Sequence, residues 1–176
     1  MIYWWIWPLL IIALLFGLVV FRGAPYVPTK KKNLKEAFTE LYPLGDFDLL
    51  VDIGSGDGVV LREAAKYGAK AVGYELNPIL VLISKWISRR SQNVTIRLAD
   101  FWATKLPEET TIVYTFGESR DITKMADKIA KEAVRLKKPL FFMSYGFSVP
   151  GKQPVKQNNS HFLYRFDPLH SREAQV

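Results

Sequence analysis

"VDIGSGDGVV", residues 51–60, places three glycines at alternate positions between two apolar runs. Such a turn between strand and helix cradles phosphate, lets a ligand approach the backbone, or simply reverses the chain tightly. Its spacing, Gly54-x-Gly56-x-Gly58, differs from the G-x-G-x-x-G of dinucleotide sites, and no G-K-[ST] follows as in a P-loop.

The flanking sequence alternates strand and helix signals. "DLLVDI" (48–53) predicts a strand entering the loop, and "GVVLREAAKYG" (58–68) a helix closed by Gly68. "AKAVGYE" (69–75) predicts a second strand. "NPILVLISKWISRR" (77–90) predicts a helix capped by Asn77, with Pro78 at its first position and Ile79, Leu82, Ile83, Trp86 and Ile87 on a buried face. "NVTIRLAD" (93–100) and "TIVYTFG" (111–117) predict strands three and four. Residues 120–136 predict an amphipathic helix with Ile122, Met125, Ile129 and Ala133 inward. "PLFFMSYGF" (139–147) predicts a fifth strand and "HFLYRF" (161–166) a last one. Upstream, "NLKEAFTELY" (33–42) has helical spacing and is stopped by Pro43 and Gly45. The pattern implies an α/β fold, a doubly wound and mostly parallel sheet with an abbreviated C-terminal part. Ligands of such sheets bind at the carboxyl ends of the strands, where the glycine loop lies.

Four carboxylates are expected at that edge: Asp52, Asp57, Glu75 and Asp100. With no base in the loop, they serve a pyrophosphate poorly and a cationic ligand well. S-adenosyl-L-methionine (SAM) has a sulfonium, an ammonium and a ribose diol. Glu75, 17 residues past Gly58, stands where an acid accepts from a ribose. Asp100 is expected to accept from the adenine amino group, with Phe101 or Trp102 against the ring, and Asp52 and the glycine backbone to receive the methionine end.

The first 21 residues differ from the rest. Met1 to Phe21 carries no charge, and Ile2–Phe21 as a helix would reach roughly 30 Å, about a bilayer core. Without a basic n-region or a small-x-small site, a retained transmembrane anchor is expected over a cleaved signal. Tyr3, Trp4, Trp5 and Trp7 crowd one end as interfacial aromatics do. Arg22, Lys30, Lys31, Lys32 and Lys35 follow with no acid among them, which orients the following domain to the cytoplasmic side. These five account for most of the net +7, so a membrane surface explains the basic composition better than nucleic acid. The expected organisation is an anchor (1–21), a basic proline-containing linker (22–32), one domain (33–170) and a tail (171–176). Absence of cysteine excludes disulfides, thiolate metal sites and cysteine nucleophiles. His161 and His170 are too few for a metal cluster and are expected on the surface or in loops.

The run "VDIGSGDG … GYELNP … AD" resembles the seven-strand, class I SAM-dependent methyltransferases, with their Rossmann-like sheet. An apolar start followed by "APYVPT", "LVDIGSGDG", "AVGYELNP" and "LADFW" is similar, more narrowly, to the membrane-anchored protein-lysine methyltransferases that act on the ATP synthase c-subunit and on the adenine nucleotide translocase. The expected cofactor site is therefore Asp52, Gly54, Ser55, Gly56, Gly58, Glu75, Asn77, Asp100 and Phe101. The resemblance also gives Tyr26, Val27 and Pro28 a role in covering cofactor or substrate. Where many amine methyltransferases carry Asn/Asp-Pro-Pro-Tyr/Phe, this chain reads "TFGES".

Methyl transfer to an amine develops little new charge, so positioning supplies most of the rate. A lysine acceptor must lose its proton, which an apolar or aromatic pocket favours. Tyr26, Trp102, Phe116 and Tyr145 are candidate pocket aromatics and Glu118 a candidate acceptor for the amine proton; Tyr26, Trp102 and Glu118 form the expected catalytic set. The tether points to a lysine on a membrane-associated protein. Alternatives are a methyltransferase for a lipid or hydrophobic small molecule, and a tethered SAM-binding module without catalysis. Loop spacing disfavours an NAD-linked oxidoreductase.

Overall fold

The computed structural model describes residues 3–11, 31–116, 121–158 and 160–168. Seven strands form one sheet: β1 (Leu49–Ile53), β2 (Lys70–Glu75), β3 (Val94–Leu98), β4 (Ile112–Thr115), β5 (Leu140–Tyr145), β6 (Lys156–Gln157) and β7 (His161–Phe166). Their order is β3-β2-β1-β4-β5-β7-β6. The first five are mutually parallel, while β7 runs antiparallel to both β5 and β6. β1 is buried along its whole length, as a central parallel strand covered on both faces must be.

Helix α1 (Lys31–Glu36) continues into a π turn (Ala37–Leu41), and α2 (Val59–Ala65) and α3 (Pro78–Ser88) are the crossovers on the same side. Leu34, Phe38, Leu61, Ala64 and Val81 of these helices share one core with Leu50 and Ala71 of the sheet. On the other face α4 (Ile122–Leu136) packs Ile122, Ala126, Ile129 and Ala133 against Val51, Val113 and Phe142. Met125, expected inward with them, is partly buried at the edge of that core.

Three expectations are corrected. The sheet itself is not abbreviated: two strands follow the fifth, the extra one being only two residues long, and the shortening falls in the helices. Among the described residues no helix joins β3 to β4 or β5 to β6. Secondly, α3 faces the other way. Val81, Ser84 and Ser88 are buried, whereas Leu82, Ile83, Trp86 and Ile87 point outward. Small residues face inward because α2 and α3 approach closely: a Cβ on Gly58 would lie 2.3 Å from Ser84 Oγ, and Arg62 donates to Ser88 Oγ at 3.3 Å. Thirdly, His161 is fully buried within β7.

The expected anchor falls largely outside the described residues. Residues 6–11 are helical, and among the described residues no helix is long and apolar enough to cross a membrane. Most of the linker and the tail also lie outside the described residues.

Candidate active site

The glycine loop folds back onto β2. Gly54, Gly56 and Gly58 adopt φ of 70°, 53° and 81°, left-handed values that favour glycine. Tyr74 O accepts from Gly54 N (2.9 Å) and Ser55 N (3.1 Å). Glu75 then ties the turn to the next helix, with Oε2 accepting from Gly56 N at 2.9 Å and Oε1 from Asn77 N at 2.8 Å. Each carboxylate oxygen retains a lone pair for a further donor. Asn77 caps α3 as expected, its side chain accepting from Ile79 N at 2.9 Å.

Gly73, opposite Asp52 in the β1–β2 ladder, makes this approach possible. A Cβ there would fall 2.5 Å from Ser55 Oγ and 2.6 Å from Leu61 Cδ1. Sequence reasoning did not single out Gly73; the only signal was a glycine interrupting an apolar strand, which marks close backbone approach.

The carboxylates divide by environment. Asp52 and Glu75 are buried. Burial, reinforced by the charges of Glu75 and Asp57, raises the Asp52 carboxyl well above its ordinary range. Asp57 instead pairs with Arg62 at 3.4 Å and accepts from Val59 N at 3.1 Å, a local structural role. Arg62, which lies beyond the loop in sequence, supplies the compensating base that the loop lacks. Asp100 is exposed and accepts from Trp102 N at 2.8 Å.

Of the two rings that follow, Phe101 is buried in the α4-side core and Trp102 is 45% exposed. Lys128 of α4 clamps this segment: its Nζ lies 4.7 Å over the Phe101 ring and donates to the carbonyls of Trp102 and Thr104 at 2.8 Å. Burial lowers the pKa of Lys128. One turn on, Glu132 accepts from Leu106 N at 2.9 Å while Arg135 binds both Glu132 and Leu106 O at 2.6 Å. Burial alone would raise the Glu132 carboxyl, but the donors from Arg135 and Leu106 hold it below its ordinary value.

A second cluster occupies the same sheet edge, over β4, β5 and β7. Phe116 and Tyr145 pack at 4.8 Å between ring centroids, and Tyr145 meets His161 edge-on at 4.8 Å. His161 Nε2 and Tyr114 OH hydrogen-bond at 3.1 Å, and Asn33 Nδ2 donates to Tyr145 OH at 3.1 Å. Phe116 and Tyr145 are thus brought together, with Asn33, Tyr114 and His161 as neighbours that sequence reasoning missed. Tyr26, Val27, Pro28 and Glu118 lie outside the described residues. Among the described residues no cluster of ligating side chains would hold a metal.

A seven-strand sheet of this order, with a glycine loop after β1 and an acid at the end of β2, defines the class I methyltransferases, whose cofactor is SAM. Residues 52–156 match the ANTKMT methyltransferase domain, and the chain belongs to that family. It is 33% identical over 111 residues to the ATP synthase c-subunit lysine N-methyltransferases of Xenopus laevis and Homo sapiens, alignments covering 61% of this chain and 48% and 46% of those proteins. The chain spans about half the length of these curated relatives. Among solved structures, an RNA methyltransferase from Salinibacter ruber in complex with S-adenosyl-L-homocysteine superposes with a TM-score of 0.72. It is 23% identical, with 80% of this chain and 94% of that one covered, a likeness of fold.

Proposed function

We propose that this chain is a membrane-associated methyltransferase that uses SAM to methylate lysine side chains of a membrane-associated protein. The observation that carries the cofactor assignment is Glu75, buried, with each oxygen already anchored by a backbone donor and open to one more. That arrangement suits a ribose diol, and the buried Asp52 beside it suits a cationic methionine end. When bound, SAM supplies an electrophilic methyl group on sulfur. Glu75 would orient the ribose, Asp52 and the Gly54–Gly58 backbone the amino-acid end, and Asp100 and Trp102 the adenine.

The acceptor nitrogen needs a free lone pair. Phe116 and Tyr145 form a partly buried aromatic surface that favours the neutral amine by desolvation and still accommodates a methylated ammonium through cation–π contact. The sequence offers Tyr26, Trp102 and Glu118 as the catalytic set for the acceptor side. A lysine acceptor is supported by the relatives named for lysine methylation of the ATP synthase c-subunit. A membrane location, with the domain on the cytoplasmic side, is supported by the uncharged residues 1–21 and the five cations that follow.

The test is calorimetric titration of the full chain in detergent micelles with SAM, S-adenosyl-L-homocysteine and NAD, alongside Glu75→Ala. SAM binding that Glu75→Ala weakens at least tenfold is expected. Labelled methyl groups should then appear as N-methyl-lysine after hydrolysis of treated membranes. NAD binding, or label in extractable lipid, would overturn the cofactor or the acceptor assignment respectively.

A further inference from the structure

Helix α3 carries a surface that the site does not use. Leu82, Ile83, Trp86 and Ile87 face away from the sheet, with Trp86 68% and Leu82 67% exposed. Leu76 precedes them, and Leu98, which pairs with Glu75 across the β2–β3 ladder, is exposed next to it. Scattered exposed leucines need no explanation, but large apolar side chains gathered on one face mark a partner surface.

The charge on this segment is of one sign. Residues 76–99 contain Lys85, Arg89, Arg90 and Arg97 and no aspartate or glutamate. All four cations are exposed, and Lys85, Arg89 and Arg90 lie on or directly after α3. The Arg89 guanidinium stacks 4.8 Å over the Trp86 ring. Two shallow clefts of about 380 and 360 Å³ flank the end of the helix. Arg62, Lys66 and Arg90 line one, Lys85 and Arg89 the other, and no carboxylate lines either.

We infer that α3 docks the domain flat on an anionic bilayer, its apolar face entering the interfacial layer while Lys85, Arg89 and Arg90 meet lipid phosphates. An amphipathic arrangement of Trp and aliphatic side chains beside cations is what interfacial binding requires. Charge decides among the occupants. Residues 1–21 of this chain carry no charge and would leave the cations unmatched. A second copy packed about a two-fold axis would bring cation onto cation. Nucleic acid would match the cations and leave Leu82, Ile83 and Ile87 without an apolar partner. Because Asn77, the cap of α3, lies two residues past Glu75, a helix lying flat on the bilayer holds the cofactor edge within roughly one helix diameter, about 10–12 Å, of the lipid surface.

The absence of native cysteine permits a clean test. Full-length Leu82→Cys is labelled with the polarity-sensitive fluorophore NBD, and Lys131→Cys, exposed on α4 across the sheet, serves as control. Each is reconstituted with phosphatidylcholine vesicles, with or without about a third phosphatidylserine. The expected result is a several-fold emission rise and blue shift at position 82 on anionic vesicles only, with none at 131. Arg89→Glu/Arg90→Glu should abolish it while cosedimentation, which reads the N-terminal segment, and SAM binding in detergent persist. The inference is overturned by an unresponsive position 82, by an apolar signal there without lipid (cover by this chain), by one that grows with protein concentration (a second copy), or by one elicited by RNA and not by vesicles. Loss of SAM binding or methyl transfer with the position 82 signal intact would count against the proposed function alone.

Discussion

Burial raises the Asp52 carboxyl well above its ordinary range, and the charges of Glu75 and Asp57 add to it. With the folded pKa raised, its contribution to stability is fully present below the unfolded value of 3.8 and is lost as pH rises through the folded value. Asp52→Asn should therefore stabilise the cofactor-free chain near pH 7.5, on the order of 1–3 kcal/mol, with the difference vanishing in acid. The same change should weaken SAM binding roughly tenfold or more, because a sulfonium and an ammonium favour the ionised acid. Thermal melts across pH and calorimetry check both, and tighter SAM binding by the variant would remove Asp52 from the site. His161 has the opposite sign: burial lowers it from 6.5 to about 4. Its stabilising contribution is present above about 6.5 and is lost as pH falls through about 4, up to about 3 kcal/mol. Urea unfolding of wild type and His161→Gln from pH 7.5 to 4.5 should show a steeper decline in the wild type. Parallel curves would mean that His161 titrates like an exposed imidazole. The sequence placed Asp52 and Glu75 at strand ends because strand, loop and acid are contiguous. It missed the burial of His161, which depends on a strand added from the far end of the chain.

At the level of elements, strands β1 to β5 and helices α2 to α4 were legible because each carries apolar residues at strand or helix spacing, and most are bounded by glycine, proline or an Asn cap. The orientation of α3 was not. Its stripe of Leu, Ile and Trp has the spacing of a buried face, yet the sheet takes the side with Val81, Ser84 and Ser88, since only small side chains permit the approach to Gly58 and Arg62. The clamp of Lys128, Glu132 and Arg135 on residues 101–106 was likewise hidden, because it joins an amphipathic helix to a loop 20 to 30 residues away. Gly73 shows the same limit and gives a prediction. Ala at this position would bring Cβ into Ser55 and Leu61, well inside contact distance. Gly73→Ala should cost roughly 1–3 kcal/mol, the usual penalty of overpacking, and move the loop away from β2. A folded variant should thus lose at least tenfold in SAM affinity, because Gly56 N no longer meets Glu75. Urea titration measures the first effect and calorimetry the second. Wild-type affinity in the folded variant would show that the loop is not held by this contact.

For the whole molecule, the sheet order is complete while the helical layers are uneven, with α1, α2 and α3 on one face and α4 alone on the other among the described residues. Sequence pattern led to a shortened sheet because β6 has two residues, too few for any periodicity to register. Positive charge without compensating acid gathers at α3, since residues 76–99 hold no aspartate or glutamate, whereas Lys124, Lys128, Lys131 and Arg135 of α4 are interleaved with Asp127 and Glu132. Lys32 and Lys35 belong to α1, and Lys85, Arg89 and Arg90 accompany α3, on the face of the sheet that α1 and α3 share. If those cations hold the enzyme against anionic lipid, salt should act on delivery to the acceptor and leave cofactor binding alone. Raising ionic strength from 0.1 to 1 M shortens the Debye length from about 10 to about 3 Å, which screens exposed cations strongly and buried Asp52 and Glu75 far less. Methyl incorporation into isolated membranes should then fall several-fold, while SAM affinity on the same preparation changes little. An acceptor dispersed in neutral detergent, offering no anionic surface, should be methylated at a rate nearly independent of salt. Equal salt sensitivity in membranes and in detergent would place the effect at the acceptor itself and remove the basic surface from substrate delivery.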